Sequence, residues 1–506
     1  MKISKIFFFQ KDIEELEFSK ATSVARIIFG LILFHRFIDL YFSSPLSFND
    51  DFKNLIGIFL SFSTIIGFFT PFSLPLLSLF NWITANNLSS QIISITSIVL
   101  FMSHSWKYNS FDSLLRKKSI FISFLFNQIE YIYVRTHILR TFAIWLWGGI
   151  CFSAMAFHFT DKSWISGTAV LTLLRTPYLN DYYNFFNNIN DNIFLILSKI
   201  SLWGMAVWEL FLWIVPGVSL IRKITFWWGI VFFFSSILFI NLSYLPYLEI
   251  IFWLIIYRPE VFLLKKFLKN TNSPLYKKEK YYKPNYFIEL TLVISGLISI
   301  IYMNIGTNIN IHGGSKRIKD IGSKMLSYRI PITFASGIFG QNPVNVFNQD
   351  DLKMNRYSIL ICRNLESGKK ELVPFQDSNG GRLSYLANDN FYFTKSLGFQ
   401  RGTRKLDKNE VYDRWFDLSK EIISYDFLLN AQSQILNYKA LLLEHNPNYI
   451  KQNILAGWNK NSKANVVFSE ILKTSDINTT KKLRILIPPG HFNEKIRIKT
   501  SERDFC

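Results

Sequence analysis

Cysteine is scarce in this chain. Cys151 lies in an apolar run, Cys362 in a β-prone one and Cys506 at the last position, with no paired metal-ligand spacing among them. That pattern predicts neither a disulfide framework nor a zinc site. Charge is scarce too: 18% of residues are charged against 49% hydrophobic and 17% aromatic, and mean hydropathy is positive. Water-soluble chains of this length seldom carry so few charges. Residues 6–9 form the only apolar stretch before Lys20, and mixed charges follow it. This is too short for the apolar region of a signal peptide, so insertion is expected to begin at the first true span. Internal repeats and paired broken helices are missing as well, which weighs against a transporter or channel. That alternative and a non-catalytic membrane scaffold nevertheless stay open.

What the chain does hold is long apolar runs, concentrated before Gly306. A hydrocarbon core needs roughly 20 helical residues, somewhat fewer where flanking groups snorkel. On that scale nine spans are expected, at 22–42, 55–70, 74–86, 88–103, 138–159, 200–220, 224–240, 242–257 and 286–305. The formal net charge of +20 does not imply nucleic acid, because residues 306–506 hold 30 Lys+Arg against 19 Asp+Glu and the rest of the excess sits in loops beside apolar spans. Such loops are an orientation signal. With a cytoplasmic N-terminus, nineteen basic residues fall inside and four outside, which puts the tail outside.

The expected fold is therefore an all-α polytopic membrane bundle of about nine transmembrane helices, followed by a mixed α/β extracytoplasmic domain. The domains are a cytoplasmic segment 1–21, a transmembrane domain 22–305 and a soluble domain 306–506. The expected location is the cell (cytoplasmic) membrane, with lipid as a partner. Residues 119–134, apolar but interrupted by Gln128 and Glu130, are expected at the membrane interface. In the tail, 357–362 reads as a strand, Ser367-Gly368 and Asn379-Gly380-Gly381 as turns, and 391–393 as β-prone. Residues 411–444 read as helical, from the spacing of Trp415, Leu418, Ile422, Ile423, Phe427 and Leu428.

Ionisable residues inside spans are the functional candidates. Arg36 and Asp39 stand at i, i+3 and can pair. Glu209, mid-span, must be protonated or partnered, and Arg140 is the partner the sequence offers. Glu249 and Glu289 lie nearer span ends and are expected to be solvated. The segment 155–175, MAFHFTDKSWISGTAVLTLLR, reads as a hinge at the outer face. There His158 and Asp161, three residues apart, have the chemistry for acid/base work, although interfacial anchoring is the plainer role. The catalytic candidates are thus His158, Asp161 and Glu209, with no metal ligands and no cofactor identified.

The Trp-x-x-Gly-Thr-Ala element at Trp164 to Ala169 resembles a hallmark of the HTTM family, the horizontally transferred transmembrane domain shared with vitamin K-dependent γ-glutamyl carboxylase. Three further stretches resemble it in the same order: VARIIFGLILFHRFIDL with Arg26 and Gly30, SHSWKYNSFDSLL with His104, Trp106 and Asp112, and WELFLWIVPG with Glu209 and Pro216. Together they cover residues 20–265. The resemblance implies that the carboxylases' catalytic lysine falls at Phe159, five positions before Trp164. Phenylalanine cannot take a proton, and Lys162 lies about 4.5 Å further along a helix, so carboxylation with vitamin K is not expected. The looser, sporulation-delaying-protein B type members resemble this chain better. They imply maturation or modification of a secreted peptide at the outer face, with a companion maturation protein as partner.

Overall fold

The computed structural model describes residues 4–43, 48–84, 88–263 except 131, 133, 178 and 241, then 285–341, 357–383, 399–400, 403, 406–430, 435–451, 454–458, 464–476, 496–497 and 505–506. The β-prone residues 391–393 lie outside the described residues. Before residue 342 the described structure is helical, and after it an antiparallel sheet appears.

Five described helices are long and apolar enough to cross a membrane: Glu15–Tyr41, Thr136–His158, Asp191–Leu212, Ser219–Phe239 and Tyr286–His312. Shorter apolar helices accompany them at Phe52–Ile66, Ser89–Met102, Ile120–Ile129 and Leu245–Tyr257. Short helices at Ser4–Phe7, Tyr183–Asn187 and Arg329–Ile332 apart, the helices in chain order are α1 (Glu15–Ser43), α2 (Phe48–Ile66), α3 (Thr70–Thr84), α4 (Leu88–Met102), α5 (Phe111–Lys118), α6 (Ile120–Glu130) and α7 (Thr136–His158). Next come the short α8 (Lys162–Ser166) and α9 (Ala169–Leu174), then α10 (Asp191–Val207), α11 (Ser219–Phe239), α12 (Leu245–Tyr257), α13 (Tyr286–His312) and α14 (Lys316–Met325). α7 is the hub: its most apolar stretch is 83% buried, against 22% for α11 and 28% for α13. The outer helices therefore turn apolar side chains such as Trp203, Val231 and Leu290 away from the protein. On α6, Ile120, Phe121 and Phe124 are likewise exposed.

One end of the bundle gathers ion pairs. Thr136 N donates to Glu15 Oε2 at 3.0 Å, Arg135 holds Glu289 at 2.7 Å, Arg140 pairs with Asp12, and Gly217 N donates to Ile6 O at 2.9 Å. Glu289 is thus buried and paired rather than solvated. Arg36 donates to Asn81 Oδ1 at 2.6 Å and Asp39 accepts from Tyr244 at 3.3 Å; the two charges also act on each other.

Helical packing runs past residue 305. α13 continues to His312, and α14 folds back along it so closely that a Cβ on Gly322 would stand 2.5 Å from Asn310 N. A π-helical segment, Thr333–Ile338, then enters the bundle: Gly337 O accepts from Ser78 at 2.7 Å and Ser94 at 3.2 Å. Gln341 Nε2 donates to Leu146 O at 2.8 Å. Residues 316–341, which the sequence assigns to the outer domain, pack as part of the bundle.

The tail forms a five-stranded antiparallel sheet in the order β6-β3-β1-β2-β7, with strands β1 (Tyr357–Leu365), β2 (Lys370–Leu372), β3 (Ile435–Glu444), β6 (Asn465–Lys473) and β7 (Ile496–Arg497), plus a separate hairpin of β4 (Pro447–Lys451) and β5 (Ile454–Trp458). Side chains alternate across the sheet. Ile359, Ile361, Tyr438, Ala440 and Leu442 meet Trp415, Ile422 and Ile423 of α15 (Lys408–Leu429) on one face. Leu360, Cys362, Leu441 and Leu443 form a smaller core on the other. The expected helix over 411–444 is corrected here: a capping box of Asp407 and Glu410 starts α15, the helix ends at Leu429, and 435–444 is an inner strand of the sheet, between β6 and β1. Its spacing, LNYKALLLE, has an apolar run that fits either period, and pairing with β1 and β6 decides for the strand.

The expectation of no disulfide is also corrected. Cys362 and Cys506 are bonded, with Cα atoms 5.9 Å apart and a sequence separation of 144. Spacing cannot reveal a bond whose partners meet only through the fold.

Candidate functional site

The bundle end away from those ion pairs carries the candidate residues. His158 is the last residue of α7 and is buried, while Phe159 beside it is 57% exposed. The chain then reverses. Asp161 caps α8, its Oδ1 accepting from Ser163 N at 2.8 Å and Trp164 N at 3.3 Å. That cap aims Trp164 back at the end of α7, where its ring stacks on His158 with centroids 3.5 Å apart and planes 11° apart. Gly167 closes α8 at φ +80°, and a Cβ there would stand 2.2 Å from Lys199 Cγ. Only glycine takes this left-handed turn without strain. Thr168 and Ala169 are buried behind it. The Trp-x-x-Gly-Thr-Ala element therefore has a physical role here: it folds an aromatic lid over the histidine.

Glu209 arrives from α10, whose last turn widens into a π-helix at Trp208–Leu212. Such turns redirect side chains and recur at functional sites. Glu209 is buried, and its Oε2 lies 3.9 Å from His158 Nδ1, just beyond a direct hydrogen bond. Arg140, the partner expected from sequence, is spent elsewhere: it pairs with Asp12, donates to Ile256 O at 2.6 Å and covers the Phe9 ring. The expectation fails because Arg140 sits near the start of α7 and His158 at its end.

Two groups that sequence reasoning did not place here are electrostatic neighbours of Glu209: the buried Glu249 of α12 and the buried Cys151 of α7. Glu249 is not solvated as expected. A second carboxylate in an apolar helix was the available signal, and its position near the helix start hid it. Trp147, Trp253 and Trp208, the residue before Glu209, interlock at centroid distances of 4.7 to 5.6 Å, and β5 lies against α8 and α9.

Of the three candidates, the fold brings His158 and Glu209 together and commits Asp161 to capping. The class so defined is an apolar helical bundle, compatible with a membrane, that carries a buried carboxyl–imidazole pair beneath a small α/β domain. Comparison with protein-family models, curated proteins and solved structures found no significant match.

Proposed function

We propose that this is a nine-span protein of the cytoplasmic membrane, N-terminus inside and α/β domain outside, that assists maturation or modification of a secreted peptide at the outer face together with a companion maturation protein. In this reading α1, α2, α3, α4, α7, α10, α11, α12 and α13 cross the bilayer. The gathering of basic loops at the end opposite the sheet supports that orientation, and the Cys362–Cys506 bond suits an oxidising compartment.

The observation that carries the functional reading is the His158–Glu209 pair under Trp164. An imidazole titrates near neutral pH, and a carboxyl held beside it can take or return its proton, which is the equipment of general acid/base chemistry. Burial of both side chains, with Trp164 stacked on the imidazole, keeps bulk water from competing for that proton. The HTTM resemblance points to peptide handling, while Phe159 supplies no base for vitamin K-dependent carboxylation.

The test compares secreted-peptide mass profiles of cells carrying the intact gene, a deletion, His158→Asn or Glu209→Gln. Both variants should reach the membrane at normal levels and lower the processed peptide roughly a hundredfold, within the range that general acid/base groups contribute. Purified protein given reduced vitamin K, bicarbonate and a glutamate peptide should fix no CO₂. A profile unchanged by the deletion would sink the peptide reading.

A further inference from the structure

The end of the bundle opposite His158 contains a cavity of about 550 Å³ between the N-terminal segment, α7, α11 and the turn after α12. Arg140, Arg222, Lys223 and Arg258 line it, with Asp12, Glu17 and Glu260 as the acidic lining residues. Three features ask for an anion. Arg222 and Lys223 stand within the first five residues of α11, a helix with no side-chain cap at Val218 and no acidic residue in its first turn. A helix N-terminus is already positive, so two cations there raise the potential further. Asp12 offsets it in part, shared between Arg140 and Arg222, but Arg222 lies 3.7 Å away and its Nη1 finds no hydrogen-bond acceptor among the described residues. Tyr257, only 6% exposed, also lines the cavity, and its buried hydroxyl has no hydrogen-bond partner among the described residues.

A fourth feature identifies the source of the anion. From the cavity rim along α11, Leu220, Ile224, Trp227, Val231, Phe234 and Leu238 are all exposed, and their alternating spacing of four and three makes one continuous apolar stripe. Charge at the end of such a stripe matches a headgroup with its acyl chains. We propose that this cavity binds the phosphate of an anionic phospholipid, with Arg222, Lys223 and Tyr257 as donors and the acyl chains along the α11 stripe. Basic pockets between helices on the cytoplasmic side take such headgroups, and a phosphate accepts several charge-assisted hydrogen bonds at once. The inference goes beyond the peptide-handling site and shares with it only the membrane reading.

The test uses the full chain in a non-ionic detergent, with bound lipid measured by native mass spectrometry against phosphatidylglycerol, phosphatidylcholine and inorganic phosphate. Phosphatidylglycerol should bind at least tenfold more tightly than phosphatidylcholine. Arg222→Gln and Lys223→Gln should each weaken it roughly fivefold, the worth of one basic residue near an anionic surface. Lys223 is exposed, so its variant keeps the fold intact, and Tyr257→Phe should weaken binding without changing charge. Equal binding of the two lipids, or variants that bind like the parent, would overturn the site. Inorganic phosphate that binds as tightly as phosphatidylglycerol would assign the cavity to a soluble phosphate ligand and overturn the lipid. None of these outcomes bears on the peptide profile.

Discussion

At the scale of single residues, the buried polar groups divide by whether their partners are local or distant. In the tail, Arg363 reaches Glu371 at 3.1 Å and Asp426 at 3.0 Å, and Tyr438 donates to Asp426 at 2.9 Å. Burial pushes the Asp426 carboxyl up to about 6, with Arg363 opposing it. Nearby, His445 shares a 2.8 Å hydrogen bond with Ser358, and burial pushes its imidazole down to about 3. The two act oppositely on stability. His445 contributes stability that is present above its ordinary value of 6.5 and lost as pH falls toward 3, whereas Asp426 contributes stability present below 3.8 and lost as pH rises through 6. Between pH 4 and 6 their slopes cancel, each near 1.4 kcal/mol per unit in magnitude, about one such factor per proton. His445→Gln leaves the Asp426 slope alone. Relative to the parent, the variant should gain about 2 kcal/mol at pH 4 over pH 6, read from thermal unfolding at both values. A difference of opposite sign would show that the His445 imidazole is charged in the folded protein.

At the scale of elements, short structures position the site and long ones hold it. α7 and α10 are long apolar helices of the kind that composition predicts. What turns their ends into a pair is a five-residue helix with an aspartate cap and a glycine stop, and a π turn of five residues. The cap residue Asp161 carries the same type of side chain as a catalytic acid, and only its hydrogen bonds to Ser163 and Trp164 separate the two roles. Gly167→Ala tests this arrangement. A non-glycine residue in the left-handed region costs about 1 to 2 kcal/mol, and Lys199 must also move aside. The variant should unfold earlier by that amount, and the fluorescence of Trp164 should change as it leaves His158. Unaltered stability and emission would mean that the turn does not hold the lid.

For the molecule as a whole, the disulfide joins topology to stability. It fastens the last residue to strand β1, and Lys370 Nζ donates to Cys506 O at 2.6 Å. The sheet also docks on the bundle through Leu173 and Leu179, which share its core, and through the Arg382–Asp181 ion pair. Loss of the disulfide by Cys362→Ser should lower the tail's stability by about 2 to 5 kcal/mol. In intact cells lacking Cys151, a membrane-impermeant maleimide should leave the parent unlabelled until an impermeant reductant is added, and should label Cys506 of the Cys362→Ser variant directly. Labelling of that variant only after permeabilisation would place the tail inside and reverse the orientation.

The sequence by itself determined the two-part character of the chain. Long apolar runs before Gly306 have one low-energy state in hydrocarbon, the helix, because every backbone group must be satisfied within its own segment. It also determined the start of the reversal at 158–167, since Asp161 and Gly167 act through neighbours only a few residues away. Tertiary structure alone decided the rest: that 435–444 is a strand, that Cys362 meets Cys506, that 316–341 packs with the bundle, and that Glu209 faces His158 rather than Arg140. Each of these depends on which distant segment supplies the partner. A buried polar group or a short apolar run is compatible with several partners, and the packing of whole elements selects among them.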